Sequence, residues 1–182
     1  EALTALKGQV AVDPNSFDAY NNMGVVYFYL KDHTNAALSW EKALKIKKSA
    51  QTFKFLGFSY YNLGNYAKAI SNYESSLKLD KSDYELYYNL AVAYYDNSLY
   101  DKAVNAFASA FKLNPEDSNA ATGQAQAIEA AINSHMEKGS NLYLNNEYSK
   151  AVAEWQTVLK YQADHKEAKA FWIRQLERVG RE

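Results

Sequence analysis

No cysteine occurs among the 182 residues, and only two prolines, seven glycines and three histidines do. The missing thiols exclude a disulfide scaffold, a thiolate zinc site and a cysteine nucleophile. The scarcity of proline and glycine leaves little punctuation, which favours a near-continuous run of helices. No apolar stretch approaches the ~18 residues that a membrane span needs, so no membrane insertion by this chain is expected. Charge of either sign is not in excess: 20 Lys and Arg stand against 21 Asp and Glu. A general electrostatic pull toward nucleic acid or an anionic membrane is therefore not expected. The chain opens Glu1-Ala2-Leu3 without a basic or apolar leader, so no signal peptide is visible and an upstream segment is the expectation.

Reactive constellations are also missing. His33, His135 and His165 fall in a turn, a helix and an inter-helix loop, none with a second histidine at metal-ligand spacing. No phosphate-binding glycine loop, nucleophile elbow or His-Glu-x-x-His motif occurs. Asp80, Ser82 and Asp83 begin like a calcium loop but lack its central glycine and closing glutamate. An enzyme is not expected, nor a catalytic residue, a cofactor or a metal.

What the chain has in excess is tyrosine, 16 against eight phenylalanines and three tryptophans, and those rings must be placed. They recur. Tyr20, Met23, Gly24 and Tyr27 are followed by Ala36, Trp40 and Ala43. Phe53, Leu56, Gly57 and Tyr60 are followed by Ala69, Tyr73 and Ser76. Tyr87, Leu90, Ala91 and Tyr94 are followed by Ala103, Phe107, Ala110 and Pro115. The anchors Gly24, Gly57 and Ala91 lie 33 and 34 residues apart. A fourth, displaced copy carries His135, Gly139, Leu142, Ala151, Trp155 and Val158, and a half copy ends at Asp13-Pro14. Each copy reads as two amphipathic helices joined by a short turn such as Leu63-Gly64-Asn65-Tyr66. A mid-helix glycine costs about 1 kcal/mol against alanine, so Gly24 and Gly57 need a packing reason. Small residues there let helices approach, and Tyr20, Tyr27, Trp40, Phe53, Tyr60, Tyr73, Tyr87, Tyr94 and Phe107 are expected to fill the core.

This pattern resembles the tetratricopeptide repeat (TPR) over residues 1 to about 165. The resemblance implies an all-α, right-handed α-solenoid of antiparallel helix pairs. The expected divisions are a half repeat at 1–16, repeats at 17–49, 50–83 and 84–117, a fourth at 118–165, and a capping helix at 166–182. In the fourth the anchor sits 14 residues late, at Gly139 rather than Ala125. Fourteen residues turn a helix by about 1400°, close to whole turns, so one long helix over about 117–145 is expected. The alternative breaks it near Asn133, before the capping-box spacing of Ser134 and Glu137. In the last helix Ala168, Trp172, Leu176 and Val179 share a face, leaving Arg174, Arg178 and Arg181 to solvent.

The resemblance also implies a concave groove lined by the first helices of successive repeats. Its positions correspond here to Asn21, Val25, Phe28 and Tyr29, then Lys54, Phe58, Tyr61 and Asn62, then Tyr88, Val92 and Tyr95, with Tyr143 from the displaced copy. Asp18, Gln51, Glu85, Asp96, Asn133, Met136, Ser140 and Leu144 complete the set. Tyrosine offers apolar area with a polar tip, which suits peptide recognition; the alternative is that the rings pack on each other and fill a narrow superhelix. The implied function is a non-enzymatic adaptor or scaffold holding an apolar or mildly basic segment of a partner protein. The basic clamp by which some TPR domains take Hsp70 and Hsp90 C-termini is not reproduced: Asn21, Val25, Phe55, Glu85 and Asn89 occupy those positions. Such termini are disfavoured. Two alternatives remain: a module that self-assembles through its ends, because Leu3, Leu6 and Val10 lack a partner helix, or an interaction domain whose associated activity lies elsewhere in a larger protein.

Overall fold

A computed structural model describes the backbone of residues 1–179 and the side chains through Gln175. The described residues form helices α1 (Ala2–Val12), α2 (Phe17–Tyr29), α3 (His33–Ile46), α4 (Ala50–Asn62), α5 (Tyr66–Leu79), α6 (Tyr84–Asp96), α7 (Tyr100–Leu113), α8 (Ser118–Leu144), α9 (Tyr148–Tyr161) and α10 (Lys166–Val179), with no strand among them. The fold is all-α, built of antiparallel helix pairs, as expected. Two compact units divide within α8, Glu1–Ala121 and Thr122–Glu182.

Local chemistry starts and stops these helices. Ser16, Asp32, Ser49, Asn65 and Asp83 each cap a first turn, their side chains accepting from Ala19, Asn35, Thr52, Lys68 and Leu86 N–H. The turn inside each pair is one structure repeated. Asp32, Asn65, Leu99 and Glu147 N–H donate to Tyr27, Tyr60, Tyr94 and Leu142 C=O at 2.8–2.9 Å. The residue before each donor is left-handed: Lys31, Gly64, Ser98 and Asn146, with φ of 60°, 71°, 58° and 62°. Only Gly64 adopts that conformation without a Cβ penalty. Lys31→Gly and Ser98→Gly should therefore each raise stability by about 0.5–1 kcal/mol, read as a higher urea midpoint.

The glycine anchors have the packing reason that the sequence demands. A Cβ on Gly24 would come within 2.5 Å of the Trp40 indole, and one on Gly139 within 2.5 Å of the Trp155 indole. Gly57 meets the Tyr73 ring in the same way. Trp40, Tyr73 and Trp155 are each 1% exposed. Where the anchor is Ala91, the residue 16 positions later, the place of Trp40, Tyr73 and Trp155 in the other copies, is the smaller Phe107. Of the nine rings expected in the core, Trp40, Tyr60, Tyr73, Tyr94 and Phe107 are buried, but Tyr20, Tyr27, Phe53 and Tyr87 are only half-buried. Lysine stems cover part of that edge: Lys42 lies over Tyr20 and Lys48 over Phe53.

Two tyrosines make polar ties between successive pairs. Tyr60 donates to Glu41 and Tyr94 to Glu74, each joining a first helix to the second helix of the preceding pair. Burial, and then the bond to Glu41, push the Tyr60 phenol up to about 12, and Tyr94 rises for the corresponding reasons. The native state thus holds these protons more tightly than the unfolded chain. Their stabilisation is complete below the unfolded phenol pKa of about 10 and is lost as pH rises toward the folded value. A melting series across that window should fall with pH, and Tyr60→Phe should flatten part of the decline.

Helix α8 runs unbroken from Ser118 to Leu144, most of it in the second unit. His135 Nδ1 meets Glu154 Oε2 at 2.5 Å, binding α8 to α9. Phe171 of α10 stacks on Trp155 at 4.8 Å and 17°, much as Phe55 stacks on Trp40 at 5.6 Å and 19° in the first unit. Helix α10 therefore lies on α9 as a first helix lies on the preceding second helix. Ala168 is buried, Trp172 half-buried and Arg174 exposed. The side chains of Leu176, Arg178 and Val179, and Arg181 altogether, lie outside the described residues. His165 Nδ1 accepts from Ala168 N–H at 3.3 Å, and His33 begins α3 rather than lying in the turn. At the other end α1 packs on α2 with no fully buried residue; Leu3, Leu6 and Val10 are half-covered.

Candidate functional site

Three first helices, α2, α4 and α6, meet around an open cleft of about 370 Å³ lined by Phe28, Phe58, Tyr61, Asn62, Tyr73, Tyr88, Asn89 and Val92. Six of these are groove positions named from the sequence. Amphipathic spacing puts Phe58, Tyr61 and Asn62 on one face of α4, and Tyr88 and Val92 on one face of α6. Asn62 and Asn89 turn their amides onto their own helices, Nδ2 donating to Phe58 and Glu85 C=O at 2.7 Å. Their remaining amide groups border the cleft. Tyr88 is fixed edge-on against Phe107 at 5.5 Å.

Tyr73 belongs to a second helix, and sequence reasoning placed it only in the core. Because Gly57 has no side chain, the ring of α5 crosses α4 beside Phe58, edge-on at 5.5 Å, and reaches the cleft. Its ring is wholly enclosed, yet no described group hydrogen-bonds to the hydroxyl. Burial, and then the Tyr61 phenol, hold the Tyr73 proton well above the usual phenol range. The group is thus a donor that opens onto the cleft, where water or a bound segment can accept from it. The Gly57–Tyr73 pairing at anchor and anchor-plus-16 was the available signal.

Tyr61 Oη donates to Asp96 Oδ2 at 2.5 Å, bringing a carboxylate to the rim. Burial first, and this bond second, keep Tyr61 protonated well above its ordinary range. Its ring also leans on Tyr66, 5.4 Å away. The same brace recurs at each hairpin end: Phe28 on His33 at 5.1 Å, Tyr95 on Tyr100 at 5.3 Å and Tyr143 on Tyr148 at 5.3 Å. An aromatic or histidine five residues after each groove ring is a periodicity that was legible in the sequence. These braces orient the rings without burying them.

The other candidates lie elsewhere. Tyr29 is 82% exposed outside the cleft. Val25 is half-buried on α2, and Tyr95 stands exposed near the end of α6. Asn21 Oδ1 accepts from Thr52 Oγ1 at 3.0 Å, tying α2 to α4. Lys54 is not a free cation: its Nζ lies 2.7 Å from Asp83 Oδ2. Tyr143 belongs to the second unit, where it packs against Trp155 at 5.9 Å. With Lys54 neutralised, Asp96 gives the rim an acidic bias. No group of three metal-ligating side chains converges among the described residues, and no described helix is long and apolar enough to cross a membrane.

The period, the helix pairs and the glycine–aromatic anchors define a class, the helical-hairpin repeat proteins. Tetratricopeptide-repeat patterns match residues 17–49 and 84–117, and a TPR-repeat pattern matches 57–98. The chain is a tetratricopeptide-repeat array. No curated protein matches it in sequence. Among solved structures it is similar to the MamA protein, with TM-score 0.68 and 20% identity over 90% of this chain and 84% of that one. It is also similar to YrrB, described as a TPR protein with an unusual peptide-binding site, with TM-score 0.62 and 20% identity over 92% and 80%. A third is the first TPR of Spaghetti (RPAP3) bound to the HSP90 peptide SRMEEVD, with TM-score 0.59 and 16% identity over 63% and 91%. These likenesses are of fold.

Proposed function

We propose that the first unit is a protein-interaction adaptor whose α2–α4–α6 cleft holds a short segment of a partner protein. The observation that carries this reading is an aromatic cleft whose lining includes the Tyr73 hydroxyl, a donor with no hydrogen-bond partner among the described residues. A peptide carbonyl is the acceptor that such a donor suits, and Phe28, Phe58 and Tyr88 offer apolar walls to a neighbouring side chain. The acidic rim at Asp96 favours an apolar or mildly basic segment and works against a C-terminal carboxylate. The peptide-binding descriptions of YrrB and of the Spaghetti TPR support the general role of this fold. TPR domains generally bind rather than catalyse, which supports a non-enzymatic role.

Affinity capture from the native cell, followed by hydrogen exchange on the purified complex, tests the proposal. Wild type should retain a partner that Tyr61→Ala loses at unchanged helicity, with protection appearing on α4 and α6. Undiminished capture by the variant would move the site elsewhere.

A second reading is association through α1, favoured by its half-covered Leu3, Leu6 and Val10. Light scattering should then show a concentration-dependent mass that Leu6→Glu returns to a monomer; a monomer at about 100 μM would remove this reading.

A further inference from the structure

On a different side of α4 lies a cleft of about 470 Å³ formed with α3 and α5. Helix α4 gives Phe58 and Tyr61 to the aromatic cleft but Phe53, Leu56 and Tyr60 to this one, and no lining residue is shared. The floor is apolar: Leu44, Leu56 and Tyr60 are 5%, 3% and 8% exposed. Around it stand Lys45, Lys48 and Lys68. None of the three forms an ion pair with a described carboxylate. The one carboxylate lining the cleft, Glu41, accepts from the Tyr60 hydroxyl and keeps its charge, so three cations stand against one anion.

Two of the ammonium groups are held by rings. Lys48 Nζ lies 5.5 Å from the Phe53 centroid, and Lys68 Nζ lies 4.7 Å from that of Tyr60. Lys68 Nζ also donates to Tyr60 Oη at 3.3 Å. Cation–π contacts of this kind keep the charges at the cleft wall. Sequence gave no hint of the site, because overall charge is balanced and the three lysines come from two helices and a linker.

We propose that this cleft is a second docking site and that its occupant is an acidic segment of a partner protein carrying an aliphatic or aromatic anchor. The anchor covers the Leu44–Leu56–Tyr60 floor, and flanking carboxylates pair with Lys45, Lys48 and Lys68. Opposite charge bias in the two clefts lets one TPR unit hold two segments of different chemistry at once, a basic or apolar one and an acidic one.

The test is fluorescence anisotropy on the whole chain with a labelled peptide of sequence Glu-Glu-Leu-Phe-Glu-Asp. Binding should weaken about ten-fold when the three glutamates and the aspartate are replaced by lysine, and by a similar factor in the Lys45→Gln/Lys48→Gln/Lys68→Gln variant. Neutralising three other exposed lysines, in Lys7→Gln/Lys81→Gln/Lys112→Gln, should leave binding within two-fold or so. Circular dichroism of both triple variants checks that the helices persist. Equal loss in the two variants, or equal displacement of the peptide by poly-uridylate, would show general polyanion attraction and overturn the proposal. Failure of the acidic peptide to outbind its lysine counterpart would overturn it as well.

Discussion

Trp40→Ala should cost the first unit about 3–5 kcal/mol, the range for truncating a large buried aromatic. The indole is 1% exposed, stacks on Phe55 and contacts Phe28, so its loss opens a cavity bordered by three helices. The reverse error is also expensive. Gly24→Ala places a methyl within 2.5 Å of the same indole. Overpacking of this kind costs about 1–3 kcal/mol, which exceeds the gain of about 1 kcal/mol in helix propensity. The combination Gly24→Ala/Trp40→Phe recreates the residue pair that Ala91 and Phe107 form at the same spacing in the third copy, and should recover most of the loss caused by Gly24→Ala. Urea unfolding followed by circular dichroism measures all three variants. A double variant no better than Gly24→Ala would mean that the glycine serves something other than ring clearance. Stability in a repeat array is carried by neighbouring units, so hydrogen exchange should place the weakening in α2–α4 rather than uniformly.

Tyr73→Phe should leave the fold intact and weaken the partner segment about 3–10-fold. The variant keeps the ring that packs over Gly57 and deletes only the unpartnered hydroxyl, so stability should shift by no more than about 0.5 kcal/mol. A neutral hydrogen bond to a peptide carbonyl is worth about 0.5–1.5 kcal/mol net, which sets the expected fold-change. Tyr61→Ala removes a cleft wall together with the tie to Asp96, and roughly ten- to hundred-fold loss is expected. The two variants separate a recognition role from a filling role. If the rings merely filled space, Tyr73→Phe would change neither binding nor stability, whereas Tyr61→Ala would change stability alone. Calorimetry with the captured partner's segment, beside thermal melts of each variant, distinguishes these outcomes.

Much of the fold was legible because it is encoded locally. The interval between Gly24, Gly57 and Ala91, the alternation of small anchor and large ring, and capping residues such as Ser49 and Asn65 act within a few turns of chain. Asn145-Asn146-Glu147-Tyr148 announces the last hairpin just as Leu63-Gly64-Asn65-Tyr66 announces the second, and both turns are left-handed at the second residue. The candidate site was less legible. Phe28, Phe58, Tyr61, Asn62, Tyr88 and Val92 follow helix periodicity into the cleft. Tyr73 does not, because it enters from another helix over a missing side chain.

The amino-acid sequence by itself determined the helix pairs, their period and the faces they present, since each depends on residues three, four or about 33 positions apart. Only the tertiary structure decided which polar and charged groups are spent and which are free. Lys54 is paired with Asp83 across two helices, while Lys45, Lys48 and Lys68 gather unpaired around one cleft. Tyr60 and Tyr94 spend their hydroxyls on glutamates, while Tyr73 keeps its own. The physical reason is range: packing patterns repeat along a chain, but ion pairs and hydrogen bonds form over a few ångströms between groups that only folding brings together.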